Sequence, residues 1–212
     1  MNRPKPRLII FAKAPQSGAV KTRLISALGA DGAATLARSL LMHTLQQAMA
    51  AGAGPVELCM SPPPDDRAWH GVNLPPALVC TAQGEGDLGE RMARAIDRVT
   101  TQHQPALLMG TDCPALTAER LAEAASQLER HDAVLLPVAD GGYVLIGLKA
   151  PCPEVFTKMP WSTSTVAAET LRRMAAIKLC VWKGPTLHDI DEPSDLVHLP
   201  AELSHRPFFK KN

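Results

Sequence analysis

The sequence predicts an α/β fold built on a mixed, mostly parallel sheet. Short apolar runs recur along the chain, longer helical patterns alternate with them, and the runs lack the polar alternation of a half-exposed strand. The runs are LIIFA (8 to 12), VELCM (56 to 60), ALVCTA (77 to 82), ALLMG (106 to 110), AVLLPV (133 to 138), YVLIGL (143 to 148) and KLCVW (178 to 182). Continuous apolarity marks strands covered on both faces, the habit of parallel sheets with helices on either side.

Helices are expected at 31 to 51, 88 to 102, 117 to 130 and 165 to 176, where Ala, Leu, Met, Arg and Glu dominate. Their starts carry capping chemistry. Asp31 precedes the first, Asp87 and Glu90 have capping-box spacing, Thr117 precedes the third, and Thr163 or Ser164 precedes the fourth. The Pro-rich stretch 61 to 76 around Trp69 reads as a surface excursion between two strands, because the strand and helix rhythm resumes directly after it. One domain over residues 1 to 212 is expected, with the F-F-K-K-N end peripheral.

Composition removes whole classes of function. With 22 Lys and Arg against 21 Asp and Glu, the net charge of +1 offers no general attraction for polyanions or anionic membranes. Aromatic residues make up 4%, too few for a base-stacking surface, so nucleic acid is not an expected partner. No stretch approaches the roughly 20 apolar residues of a membrane span. The 5 cysteines are odd in number and never in a C-x-x-C pair, which argues against a disulfide framework or structural zinc and fits a reducing cytoplasm.

Chemistry-bearing residues gather just beyond the apolar runs. The first run leads into K-A-P-Q-S-G-A-V-K-T-R-L, with Lys13, Lys21 and Arg23 on a loop containing Gly18 ahead of a helix. Cations and free backbone N–H groups at a helix start suit a polyphosphate, although a solvated basic turn has the same composition. The fourth run ends in G-T-D-C-P, which puts Asp112 beyond a strand end, where open α/β sheets bind ligands. A carboxylate there suits Mg2+; a turn cap before Pro114 is the structural alternative. Cys113 has no base beside it and reads as a small buried residue.

In H-D-I-D-E-P-S-D-L, Asp189 and Asp191 are two apart, so an extended segment points both to one side, while Asp191 can also cap the helix opened by Pro193. His188 reads as structural. Asp140, Gly141 and Gly142 form a hairpin signal that leaves Asp140 and Tyr143 near the sheet edge. Ser162, Thr163, Ser164 and Thr165 supply more hydroxyls than one helix cap requires, enough to hold a phosphate or carboxylate. Gln83 and Gly84, which follow a strand, are candidates for a nucleobase or sugar contact.

Taken in order, F-A-K-A-P-x-x-G-x-V-K-T-R-L, Q-x-x-G-D-L-G-E-R-M, G-T-D-C-P-A-L-T, D-G-G-Y-V-L-I-G-L, W-S-T-S-T and D-I-D-E-P-S-D-L resemble the bacterial GT-A-like family of radical-SAM/selenodomain-associated transferase 1. That family lies within the nucleotide-diphospho-sugar transferase superfamily. The K-T-R-L loop and the D-x-D near the C-terminus are also similar to 2-phospholactate guanylyltransferases. The resemblance implies a three-layer GT-A fold, a nucleoside-triphosphate or nucleotide-sugar donor, a small-molecule acceptor, and Mg2+ or Mn2+. It implies catalytic roles for Lys21, Arg23 and Asp112, and nucleotide contacts at Ala12, Lys13, Gly18, Lys21, Arg23, Gln83 and Gly84. An acceptor would lie against Asp140, Gly142, Tyr143, Ser162, Thr163 and Ser164, and a metal on Asp112, Asp189 and Asp191.

One departure matters: Asp112-Cys113-Pro114 carries a single carboxylate where family glycosyltransferases usually carry D-x-D. Nucleotidyl transfer is therefore the leading expectation, glycosyl transfer the second, and a catalytically silent binding module the third. Lys21 and Arg23 are expected as exposed cations, and Asp112 within about 8 Å of Asp189 or Asp191, the span of a shared hydrated cation.

Overall fold

The computed structural model describes residues 4–204. Arg3 and the F-F-K-K-N end lie outside the described residues. Each apolar run forms a strand: β1 (Arg7–Lys13), β2 (Val56–Ser61), β3 (Val79–Ala82), β4 (Ala106–Met109), β5 (Ala133–Pro137), β6 (Tyr143–Leu148) and β7 (Val181–Lys183). They make one sheet in the order β3-β2-β1-β4-β6-β5-β7. β6 runs antiparallel to β4 and β5, and all other pairs are parallel.

Strand side chains alternate between two helical layers. Leu8, Ile10, Leu58, Met60, Leu107 and Met109 pack with Leu41 and Leu45 of α1 (Ile25–Ala50) and Leu121 and Leu128 of α3 (Ala118–Arg130). Ile9, Cys59, Leu108 and Ile146 face Met92 and Ile96 of α2 (Leu88–Thr100) and Met174 of α4 (Val166–Ala176). Burial of one such side chain stabilises by about 1.5–3 kcal/mol, which is why continuous apolarity predicted the strands so well. A third cluster joins Leu24, Leu36 and Leu40 to Ile190 and Leu203, fastening the C-terminal segment over the start of α1. Among the described residues no helix is long and apolar enough to cross a membrane.

The Asp87–Glu90 capping box forms, with Glu90 N donating to Asp87 at 2.9 Å and Asp87 N donating to Glu90 at 2.8 Å. Three helix starts differ from expectation. α1 begins at Ile25, ahead of Asp31, and kinks at Gly29, whose φ of 71° a side chain would resist. Thr117 holds the N-cap position of α3 without a side-chain cap bond; Gln47 Oε1 accepts from Ala118 N instead, at 2.8 Å. The cap position of α4 is Thr165, not Thr163 or Ser164, and Gly141 O accepts the Ala167 N–H at 2.8 Å. β7 starts three residues later than K-L-C-V-W implied. Ile177 and Lys178 close α4 in a left-handed turn, in which Leu179 N donates to Met174 O at 3.0 Å.

Glu57, fully buried on β2, is the charged exception inside an apolar run. Its carboxylate accepts from Thr81 Oγ1 at 2.6 Å and from Arg98, and Arg7 lies 3.8 Å away. Glu57→Ala removes the partner of a buried ion network and is expected to lower unfolding free energy by about 3 kcal/mol in a urea titration.

Asp97 of α2 is the opposite case. One of its carboxylate oxygens is buried without a partner, and burial, then the nearby Glu154, hold its pKa above the ordinary value. An acid raised in this way contributes stability below its ordinary pKa and loses it as pH climbs through the folded value. Asp97→Asn should therefore melt about 1–2 °C higher at pH 7, a small gain because the group is partly solvated, and show no gain at pH 3.5.

Candidate active site

From β1 the chain moves outward through β2 to β3, and then returns to lay β4 on the other side of β1. The C-terminal ends of β1 and β4 therefore flank the point where strand order reverses, the place where open α/β sheets leave a crevice. Lys13 ends β1 and Gly110, Thr111 and Asp112 follow β4. A cleft of about 470 Å³ opens there. Phe11 and Leu88 give it an apolar wall, and Lys13, Lys21, Arg23, Asp112 and Asp191 supply its charge.

Lys21 is the hub of this cleft. Its ammonium lies 2.6 Å from Asp112 Oδ1, 2.7 Å from Asp191 Oδ1 and 2.6 Å from the carbonyl of Ile190. The side chain is only 5% exposed, whereas the carboxylates of Asp112 and Asp191 are 47% and 40% exposed. Burial alone would lower the lysine pKa, but the two carboxylates more than offset it and leave the ammonium above its usual value. Lys21 also carries left-handed backbone angles, φ 48° and ψ 41°, which cost a non-glycine residue about 1–2 kcal/mol.

The C-terminal segment reaches this hub through its alternation. Ile190 points into the third core cluster, its N–H donates to Asp112 O at 2.8 Å, and its carbonyl receives Lys21. The helical turn that follows, Pro193–His198, is capped by Glu192 with Asp195, not by Asp191. Asp191 is thereby left to pair with Lys21. Sequence reasoning missed Ile190; the lone apolar residue between two aspartates was its signal.

Asp112 and Asp191 thus meet on a single cation, well inside the expected separation. Asp189 does not complete a set of three ligands, and among the described residues no three His, Cys, Asp or Glu side chains gather to hold a metal. Burial, together with Asp140, Asp191 and Asp112, pushes the Asp189 carboxyl up to about 6. Two half-exposed carboxylates facing a cleft still fit Mg2+ or Mn2+, which commonly takes one or two protein carboxylates and completes its shell with phosphates and water.

Arg23 is exposed as expected, with a distant contact to Glu192 at 3.5 Å, and Lys13 is exposed in the same cleft. Lys21 departs from expectation because its stem and ammonium are buried by the two aspartates and the Ile190 strap. Ala12 lines the cleft, and its carbonyl accepts from Gln83 Nε2 at 3.2 Å. The same nitrogen donates to Cys59 O at 3.1 Å, so Gln83 is a buried brace across β1 and β2 whose amide protons are spent on backbone. Gly18 and Gly84 shape turns at φ 75° and φ 77° and do not line the cleft. Thr22, Val20 and Thr111 do line it and were not singled out from sequence.

The second group of residues also comes together. Val138 N donates to Gly142 O at 3.0 Å to close the β5–β6 hairpin, and Asp140 accepts from Gly142 N at 2.8 Å. A Cβ on Gly141 would stand 1.9 Å from Ser164 O, so this turn and the segment 162–165 touch directly. Ser162 and Ser164 are exposed, while Thr163 spends its hydroxyl on Pro160 O at 2.8 Å and Thr165 at 3.0 Å. Tyr143 departs from expectation: its hydroxyl is buried beside Thr170, its ring stands edge-on to Trp161, and burial raises its pKa well above the phenol range. It packs against the second core cluster instead of reaching over the sheet edge. Cys113 is buried with its thiol pushed up to about 11, and His188 stacks on His198 at 4.1 Å, both as structural residues.

No curated protein matches the chain. Among solved structures it is similar to a candidate nucleotide-diphospho-sugar transferase from Desulfovibrio desulfuricans G20, with 32% identity, TM-score 0.84, and coverage of 97% of this chain and 90% of that one. It shares its fold with a CMP:2-keto-3-deoxy-manno-octonic acid synthetase solved with CTP, at 11% identity, TM-score 0.58 and coverage of 94% and 98%. The same is true of Rv0371c from Mycobacterium tuberculosis H37Rv in complex with manganese, at 14% identity, TM-score 0.58 and coverage of 93% and 98%. Residues 44–163 match the family described as "Uncharacterized protein conserved in bacteria (DUF2064)". With that match over more than half its length, the chain belongs to the DUF2064 family and carries the nucleotide-diphospho-sugar transferase fold.

Proposed function

We propose that this transferase moves a nucleotidyl group from a nucleoside triphosphate to a small phosphorylated or carboxylated acceptor. The observation that carries the reading is the pairing of Asp112 and Asp191 on Lys21 within a cleft rimmed by Lys13 and Arg23, at the reversal point of the sheet. Cations at the rim suit the donor phosphates, and paired carboxylates on the floor suit a divalent cation. The manganese complex of a protein with this fold, and the CTP complex of another, support the same reading.

Asp112 and Asp191 would hold the Mg2+ or Mn2+, which when bound supplies charge neutralisation at the α- and β-phosphates. Lys13 and Arg23 orient the triphosphate from the rim. The acceptor rests against Asp140, Gly142 and the hydroxyls of Ser162 and Ser164, with the Thr163 segment fixing their position. Its oxygen attacks the α-phosphorus, the bond from that phosphorus to the bridging oxygen breaks, and pyrophosphate departs with the electron pair. Positioning and electrostatics supply the acceleration, and no covalent protein intermediate is required.

Glycosyl transfer is the second reading, favoured by the similarity to the Desulfovibrio protein. A thermal-shift panel of nucleoside triphosphates and nucleotide sugars, with and without Mg2+, separates the two, since a ligand that binds only the native state raises its melting temperature. A Mg2+-dependent shift with a triphosphate, followed by pyrophosphate release on addition of acceptor, is expected. A shift with nucleotide sugars alone and release of a nucleoside diphosphate would replace the reading with glycosyl transfer. Binding without turnover on any acceptor would leave a silent module.

Arg23→Ala and Lys13→Ala should each weaken donor binding about tenfold, the scale of one charge-assisted phosphate contact, with melting temperatures of the free protein within about 2 °C of the parent. Calorimetric titration of the donor identified by the panel checks this. Unchanged affinity in both variants would remove the rim from the donor site.

A further inference from the structure

Lys21 has three ammonium protons and three acceptors: Asp112 Oδ1, Asp191 Oδ1 and Ile190 O. A phosphate entering the cleft meets an ammonium already engaged by all three groups. The same contacts set a positive charge between the two carboxylates that would otherwise hold a divalent cation. We propose that Lys21 is an internal counter-ion that occupies the cation position in the free protein, so that a divalent metal binds tightly only after the ammonium has been drawn away by the phosphates of the donor. The proposal rests on the metal-dependent reading above.

Charge requires a displacement of this kind. Asp112 and Asp191 with one ammonium between them are neutralised to a single residual negative charge, too little to attract a divalent ion against the repulsion of an ammonium held within 2.7 Å of the ligand oxygens. The lysine can leave because it lies on the cleft lining, and its flexible four-carbon stem lets the ammonium swing without moving the backbone. No other lysine or arginine makes an ion pair with Asp112 or Asp191 among the described residues, and Arg23 pairs with Glu192 instead. Metal and donor then promote each other's binding by the same factor, as linkage demands.

The test measures Mn2+ binding without nucleotide, from the loss of the free-ion electron paramagnetic resonance signal, in the wild type, Lys21→Met and the double variant Lys21→Met/Asp112→Asn. Lys21→Met is expected to bind Mn2+ at least about tenfold more tightly than the wild type, and the added Asp112→Asn to abolish that gain. Equal affinity in wild type and Lys21→Met would overturn the counter-ion role and leave the metal-dependent reading intact. Failure of Lys21→Met to bind Mn2+ at all would also overturn it. A donor-induced thermal shift that is indifferent to Mg2+ would remove the metal-dependent reading itself.

If Lys21→Met loses its cooperative melt, amine acetylation of the wild type gives the answer. Lys21 should react more slowly than Lys13 in the free protein and faster once Mn2+ saturates. Labelling of Lys21 that stays constant while Mn2+ binds would overturn the proposal.

Discussion

An ammonium with three fixed acceptors is the constraint around which the cleft is built. Lys21 joins the loop after β1, the end of β4 and the C-terminal segment, three parts of the chain separated by as many as 170 residues. None of these parts is regular structure, and backbone bonding joins two of them, with Ile190 N donating to Asp112 O at 2.8 Å. The buried ammonium of Lys21 ties in the third, and leaving out either carboxylate would leave that buried charge less compensated. The Ile190 side chain anchors the same segment from the other side, so apolar packing and ion pairing converge on one short stretch.

How far this was legible from sequence depends on the range of the interactions involved. The strands followed from residues such as Leu8 to Ala12 and Leu135 to Val138, whose burial on both faces is written into local apolarity. The Asp87–Glu90 cap was equally local. The burial of Lys21 was not, since nothing near Lys21 in sequence announces Asp112 or Ile190; a cation on a glycine-containing loop reads as exposed until its partners arrive from elsewhere. Gln83 and Tyr143 misled for the related reason that a polar group near a strand end can face the ligand or the backbone, and only tertiary packing decides. At Thr163 and Ser164 the expected cap was displaced by a carbonyl from a distant hairpin, a competitor that local spacing cannot reveal.

The reversed direction of β6 gives the proposed acceptor surface its position. A parallel strand beside β5 would need a crossover that carried the chain to the opposite edge of the sheet before returning. Because β6 runs antiparallel, the turn Asp140–Gly142 stays at the edge where β1 and β4 end. Gly141 makes the turn compact enough to lie against Ser164, so hairpin and α4 start form one surface. Nearby Asp189, with its raised pKa, reflects how much negative charge this edge concentrates.

The order in which the cleft can be completed during synthesis follows from the strap. All seven strands have been translated by Lys183, whereas Asp191 lies eight residues further on, within the segment that Ile190 seats. Every strand of the sheet, together with Lys21 and Asp112, is therefore synthesised before the third member of the hub. At roughly 5–20 residues per second the interval is brief, and in order of synthesis the strands precede the residue that completes the charge hub. The segment seated by Ile190 acts as a clasp: a chain ending before it holds Lys21 and Asp112 without their third member.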